Sequence, residues 1–384
     1  MSESYSLYLH IPFCKVRCAY CDFNTYAGLD DQIAPYVRAL VAEVRGVGVA
    51  ADHPAAHTVF FGGGTPSLLP LDQLATVLTA LADSFALTPD VEITLEANPG
   101  TVSRAYLDGL RQLGVNRLSF GVQSSHPHEL RLLDRLHLFG DAAQAVSWAR
   151  SAGFEDVNLD LIFALPHQTL DLWRQTVERT LGLGPDHLSA YALSLEHGTP
   201  MRAWVHRGLL PMPDPDLAAD MYLLADELLA RNGFRQYEIS NWSRPGHACR
   251  HNLQYWRNLP YLGFGAGAHG YAHGQRYSNV LAPSAYIERL NAGSSASFPV
   301  SPALQQSTTI DRDDEVGETM MMGLRLTEEG VALEAFAQRF GRSLDGRFGN
   351  EIRRLTARGL VEVVDGRLRL TRDGRLLGNQ VFRE

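Results

Sequence analysis

Three of the four cysteines fall within eight residues, spaced Cys14-x-x-x-Cys18-x-x-Cys21. Thiolates this close in sequence can ligate three corners of an iron–sulfur cube. No fourth ligand stands beside them, so one iron is left open, and an open position marks a chemically active metal site rather than a structural one. On spacing alone the alternative is a zinc loop completed by Cys249 or by a histidine.

Other residues with chemical capacity are scattered along the chain. Phe60-Phe61-Gly62-Gly63-Gly64-Thr65-Pro66 follows an apolar run; three glycines let backbone amides approach a ligand closely, or simply make a tight turn. Glu96 stands in Leu95-Glu96-Ala97-Asn98-Pro99, Gln123 follows Gly121-Val122, Arg135 follows Leu133-Asp134, and Asp160 interrupts the apolar run Val157–Phe163. A carboxylate inside such a run is unfavourable unless it is paired or hydrogen-bonded, so a structural Asp–Arg pair is the competing reading. His251-Asn252-Leu253-Gln254-Tyr255-Trp256 combines a metal-binding ring with two flat aromatics, although a lone histidine is ordinarily a hydrogen-bonded core residue. Cys249, two residues before His251, is a second metal ligand or a buried thiol. In Tyr261-Leu-Gly-Phe-Gly265-Ala-Gly267-Ala-His269-Gly270 the small residues suggest a backbone pressed against a barrel mouth with His269 at the pocket edge, or a tight loop.

The elements that must position these residues alternate. Strands are expected at Leu7–Ile11, Thr58–Phe61, Val91–Leu95, Arg117–Phe120, Asp156–Phe163 and His187–Leu193. Between them the apolar spacing predicts helices at Gln32–Arg45, Leu71–Phe85, Arg104–Leu113, Pro127–Leu136, Ala142–Ala152 and Leu170–Leu181. Six strands with helical crossovers imply an α/β fold, a parallel sheet that could curl into a partial (β/α)6 or a complete β/α barrel, whose chemistry sits at the C-terminal strand ends. Gly62–Thr65, Glu96, Gln123 and Asp160 each lie at such an end, which argues for one shared site. Past about residue 210 the pattern changes: a helix over Leu217–Asn232, an aromatic and Gly-rich stretch over Asn241–Tyr277, and a Ser-rich linker over Gly293–Ser301. Helices at Glu315–Leu324, Leu333–Phe340 and Phe348–Ala357, then a hairpin turned by Asp365-Gly366, suggest a small winged-helix-like α+β module. The expected domains are 1–235, 236–300 and 301–384.

Taken together, Tyr8-Leu-His10-Ile-Pro12-Phe13-Cys14-x-x-x-Cys18-x-Tyr20-Cys21 resembles the signature of radical S-adenosylmethionine (radical SAM) proteins, and more narrowly that of the oxygen-independent coproporphyrinogen III oxidase group. The resemblance runs from Tyr8 to about residue 370. It implies a [4Fe–4S] cluster on Cys14, Cys18 and Cys21, with S-adenosylmethionine chelating the open iron and its sulfonium placed for homolysis. It further implies that Gly63, Gly64 and Thr65 meet the methionine end of that cofactor, and that Tyr8, Tyr20, Glu96, Gln123, Arg135, Asp160 and Ala192 belong to its pocket.

One departure matters. The oxidase pattern has a further cysteine two residues after the third, where this chain reads Cys21-Asp22-Phe23. Phe23 replaces a thiol neither in ligation nor in proton transfer. The chain therefore resembles the HemW branch, whose HNxxYW signature matches His251–Trp256. That branch implies a heme chaperone rather than an enzyme. His251 would be an axial iron ligand and Tyr255 and Trp256 a surface against the porphyrin. Implied partners are heme acceptors such as respiratory hemoproteins and a heme donor such as bacterioferritin. The rival is the oxidase itself, decarboxylating coproporphyrinogen III propionates; a third reading is a radical enzyme on an unrelated substrate.

Composition sets the outer limits. The formal net charge is −9, and general nucleic-acid binders show a basic excess instead. Arg342, Arg347, Arg353, Arg354 and Arg358 are interleaved with apolar residues and read as a solvated helix face. No apolar run reaches the roughly 18 residues of a membrane span, and Met1–Tyr8 has no basic n-region. A reducing, cytoplasmic setting is expected, with any membrane association made through partners.

Overall fold

The computed structural model describes residues 4–293 and 295–384. Met1–Glu3, where the N-terminal stretch begins, and Ser294, within the expected Ser-rich linker, lie outside the described residues. Two compact units are present, one running up to Leu228 and including Pro260–Thr309, the other comprising Leu229–Leu259 and Ile310–Glu384.

The first unit is built on β1 (Tyr5–Ile11), β2 (Ala55–Gly63), β3 (Ala86–Ala97), β4 (Arg117–Gln123), β5 (Asp156–Phe163) and β6 (His187–Ala192), each parallel to the next in that order. Strands covered on both faces need near-continuous apolar runs; β1 buries six of its seven residues. The covering helices are amphipathic. Leu71–Ser84, for example, buries Leu74, Val77, Ala80, Leu81 and Ser84 along one stripe. Side-chain caps start several of them: Ser103 Oγ accepts from Tyr106 N at 3.2 Å and Thr169 Oγ1 from Leu172 N at 3.2 Å. β1 and β6 do not pair with each other, so the six strands make an open, partial barrel.

Much of the aromatic, Gly-rich stretch, in which no strand was expected past residue 241, extends the sheet. Tyr261–Phe264 pairs in parallel with the outer edge of β1, followed by the antiparallel strands His269–Ala272, Gln275–Asn279 and Leu304–Thr309. Glycine depletes strand propensity and so hides these strands from a sequence pattern. Its presence here is steric: a Cβ on Gly270 would overlap the Tyr277 ring.

The second unit holds a hairpin of Arg235–Glu238 with Asn241–Ser243, a short helix Arg250–Trp256 not foreseen from sequence, and the C-terminal module. In that module the helices Arg312–Gly323, Leu333–Phe340 and Leu344–Ala357 surround a three-stranded sheet ordered Val331–Ala332, Arg367–Leu370, Val361–Val364. Phe336, Phe340, Leu355, Leu368 and Leu370 form its core. The Asp365-Gly366 turn has φ of 49° and 71°, the positive pair that a two-residue hairpin requires. No helix among the described residues is long and apolar enough to cross a membrane.

Candidate functional site

Cys14 ends the short strand Phe13–Cys14 just beyond β1, which pairs in parallel with Tyr26–Ala27 and so pinches the base of the cysteine loop. The glycine loop after β2 is laid against it: Gly64 N donates to Ile11 O at 2.8 Å and Thr65 N to Phe13 O at 2.8 Å. Only glycine fits there, because a Cβ on Gly64 would lie 2.7 Å from Phe13 O and 2.8 Å from Ile11 O.

A cavity of about 420 Å³ opens at the C-terminal ends of the strands. Cys14, Cys18, Cys21, Tyr20, Gly63, Gly64, Thr65, Glu96, Gln123, Arg135, Asp160 and Ala192 all line it. Among the described residues no three His, Cys, Asp or Glu side chains converge as ligands of a single ion would. The three thiols do border one cavity together. Donors stand by two of them: Thr65 Oγ1 lies 3.5 Å from Cys14 Sγ, and Arg135 Nη1 lies 3.6 Å from Cys18 Sγ.

The lining also carries two carboxyl groups, Glu96 and Asp160. Asp160 accepts from Ser119 Oγ at 2.9 Å and from Asn158 Nδ2 at 2.8 Å. Desolvation still pushes its carboxyl above the ordinary range, against those hydrogen bonds. Glu96 Oε2 accepts from Gly63 N at 3.1 Å. Desolvation, and then the Asp160 charge, push Glu96 up to about 8. Arg135 is held by Asn98 Oδ1 at 2.7 Å and Gly121 O at 2.6 Å. The sequence alternative of a simple Asp–Arg pair is therefore not the arrangement found: Asp160 is held by neutral donors, Arg135 by an amide and a carbonyl. Two desolvated carboxylates facing one cavity fit a cationic ligand. Gln123 Oε1 and Arg135 Nε are buried there without a hydrogen-bond partner among the described residues, and Gln123 adopts φ +67°, a strained choice for a non-glycine residue at a strand end. Unpaired buried polar atoms and stored strain at one place are what a ligand site shows before its ligand arrives.

Tyr8 and His251 do not line this cavity. The Tyr8 ring stacks on Phe60 at 6.2 Å, and its hydroxyl lies 3.0 Å from His10 Nδ1. His251 belongs to the second unit and is 1% exposed, with Nε2 2.8 Å from Tyr255 Oη and the two rings perpendicular at 5.0 Å. Cys249 is buried at the start of that helix. His269 is exposed on its strand and is no part of the cavity edge. Sequence reasoning passed over Asn98, Ser119 and Asn158, neutral residues that orient the charged ones, and the exposed rim residues Val16 and Tyr191 that stand with Phe23.

Comparison with known proteins agrees with this architecture. The profile of the Radical SAM superfamily matches residues 8–180, and that of the HemN C-terminal domain matches residues 310–377. A Mycobacterium tuberculosis protein named heme chaperone HemW is 41% identical over 386 residues, covering 99% of this chain and 94% of the relative. This chain belongs to the HemW family. The heme chaperone HemW of Bacillus subtilis is 38% identical over 378 residues, covering 98% of each chain. The solved structure of the coproporphyrinogen III oxidase HemN from Escherichia coli, described as a radical SAM enzyme, superimposes with a TM-score of 0.84 over 100% of this chain and 90% of its own; at 24% identity it shares the fold.

Proposed function

We propose that this protein is a cytoplasmic heme chaperone that binds heme and passes it to acceptor hemoproteins, carrying a [4Fe–4S] cluster on Cys14, Cys18 and Cys21 with S-adenosylmethionine in the adjoining cavity. Its likeness to proteins named heme chaperone HemW spans both units. The observation that favours this reading over the oxidase is Phe23. It is 64% exposed at the cavity rim and sets an aromatic ring where the oxidase pattern has a thiol. Respiratory hemoproteins are the acceptor class, and a heme-storing protein such as bacterioferritin the donor class, that this reading entails.

When bound, a cluster and adenosylmethionine pair supplies one-electron chemistry at the sulfonium. The chain's own part is positional. Cys14, Cys18 and Cys21 would hold three irons of the cluster and leave the fourth for the cofactor. The Gly63–Thr65 backbone lies alongside, its close approach permitted by the absence of side chains. Glu96 and Asp160 would take the positive groups of the cofactor, and Gln123 Oε1 and Arg135 Nε, unpartnered among the described residues, would be available to its polar groups.

Replacing Glu96 or Asp160 by Ala is expected to weaken adenosylmethionine binding and leave the cluster in place. Losing a hydrogen bond to a charged group costs roughly 1.5–3 kcal/mol, or about 10- to 150-fold in affinity. Calorimetric titration reads this directly, and unchanged affinity in both variants places the cofactor on another wall. A pH effect follows with a fixed sign. In the open cavity Glu96 keeps its proton up to about pH 8, and a cationic ligand favours the ionised carboxylate. Affinity therefore rises as pH approaches that value, and Glu96→Gln removes this contribution.

The function itself is tested by titrating the anaerobically purified protein with heme, then mixing it with an apo-hemoprotein. Stoichiometric heme uptake followed by transfer is expected. Conversion of coproporphyrinogen III to protoporphyrinogen IX under reducing conditions would establish the oxidase instead.

A further inference from the structure

The Gly-rich stretch Tyr261–Gly270 lines no part of the cavity, yet its backbone is fitted closely against the cysteine loop. Gly265, at φ +99°, has no room for a Cβ: one would lie 2.6 Å from His10 O and from Tyr36 Oη. Gly267, at φ +76°, would drive a Cβ into the Asn24 amide. Both need glycine for conformation and for space.

Asn24 stands three residues after Cys21. Its Nδ2 donates to Ala266 O at 3.0 Å and to Leu281 O at 2.9 Å, and its Oδ1 accepts from Tyr26 Oη at 3.1 Å. Both side-chain N–H groups and the side-chain oxygen are thus engaged. Its backbone oxygen is 2.9 Å from His10 Nε2. A carbonyl only accepts, so His10 carries its proton on Nε2. Its Nδ1 is then the acceptor for the Tyr8 hydroxyl. Tyr8, His10 and Asn24 form one directed chain from β1 to the end of the cysteine loop.

The far side of the glycine stretch is fixed independently. The buried Glu43 carboxylate accepts from Gly265 N at 2.8 Å, Asn279 Nδ2 at 2.8 Å, Tyr286 Oη at 2.6 Å and Ser301 Oγ at 2.6 Å. Tyr36 Oη donates to His10 O at 2.7 Å and accepts from Ala266 N at 2.8 Å. The segment is therefore a rigid bracket with one face on the helix Ile33–Ala50 and the other on Asn24.

The loop it holds has one inner anchor of its own, Ala19, which packs in one cluster with Leu133, Ile162, Leu165 and Met201 and whose O accepts from Met201 N at 2.9 Å. Between Cys14 and Cys21 only Ala19 is buried, and Lys15, Val16 and Arg17 are exposed. Segments with so few buried contacts open readily. The Cys14 end is clamped by its strand pair, and the Cys21 end is clamped through Asn24.

We infer that Asn24 is a positioning residue which, gripped by Ala266 and Leu281, sets the Cys18–Cys21 end of the loop in its ligating geometry before any cluster is bound. The inference rests on the cluster reading for its purpose, but the grip exists in the chain alone. The test uses Asn24→Ala and Asn24→Asp, the latter keeping the size and the acceptor while removing both N–H groups. In the cluster-free chain, hydrogen exchange followed by mass spectrometry should show faster exchange confined to residues 14–27 in both variants, with β2–β5 unchanged. Two lost hydrogen bonds correspond to roughly 10- to 30-fold faster opening. After anaerobic reconstitution, both variants should lose iron to a chelator faster than the wild type by a similar factor. Wild-type exchange over 14–27 in both variants overturns the inference, as does acceleration spread evenly through the unit. If the wild type takes up no four-iron cluster, the cluster reading fails while the exchange result still decides the grip.

Discussion

Replacing Cys14, Cys18 or Cys21 by Ala is expected to abolish the four-iron chromophore of the anaerobically reconstituted protein, taking iron and sulfide from roughly four per chain to background, while Cys249→Ala leaves both intact. The three thiols border one cavity in the first unit, and Cys18 and Cys14 have donors at 3.6 and 3.5 Å from Arg135 and Thr65. With only three protein ligands present, the loss of one leaves two irons without a protein anchor, so no partial cluster of the same type is expected. Cys249 is buried in the second unit and is not among the residues lining that cavity. Iron and sulfide assays with absorption and electron paramagnetic resonance spectra check this. Full iron and sulfide in the triple variant, or zinc without iron in the wild type, would sink the assignment.

Much of the site was legible because parallel sheets concentrate chemistry at one end. Asp156–Phe163 and Leu170–Leu181 occur with the bounds that periodicity gives. Once the strands are known, Gly63, Glu96, Gln123 and Asp160 must share a rim. The supporting residues were not legible, because their role comes from register rather than from type. Ser119 lies opposite Asn158 in the β4–β5 pair, and Asp160 opposite Ser189 in the β5–β6 pair. A serine or asparagine in a strand carries no signal until that pairing is known. Asn24 was passed over for the same reason: its partners Ala266 and Leu281 are more than 240 residues away and offer only backbone carbonyls. The strands from Tyr261 to Thr309 were hidden by glycines that are there for clearance, and the helix Arg250–Trp256 by its length of seven residues.

The helix just named carries the second large effect. Heme added to the anaerobic wild-type protein should give a Soret band that His251→Ala shifts and weakens, with transfer to an apo-acceptor slowed at least about tenfold, the equivalent of roughly 1.4 kcal/mol. The cluster spectrum should not change, since its ligands all belong to the first unit. The structure adds a condition that the sequence did not contain. His251 Nε2 is 2.8 Å from Tyr255 Oη, and the residue is 1% exposed. For His251 to ligate iron through Nε2, that hydrogen bond must open and the short helix must turn its ring outward. Tyr255→Phe removes the competitor for the nitrogen and keeps the aromatic surface. If His251 is the ligand, this variant binds heme more tightly, by about fivefold for a hydrogen bond of roughly 1 kcal/mol. The two variants then move affinity in opposite directions, which distinguishes ligation from packing. If His251→Ala and Tyr255→Phe both weaken binding, the pair supports the helix and the iron ligand lies elsewhere. If neither changes the spectrum, His251 is a core histidine satisfied by its neighbour, and the heme-binding surface has to be sought on other residues.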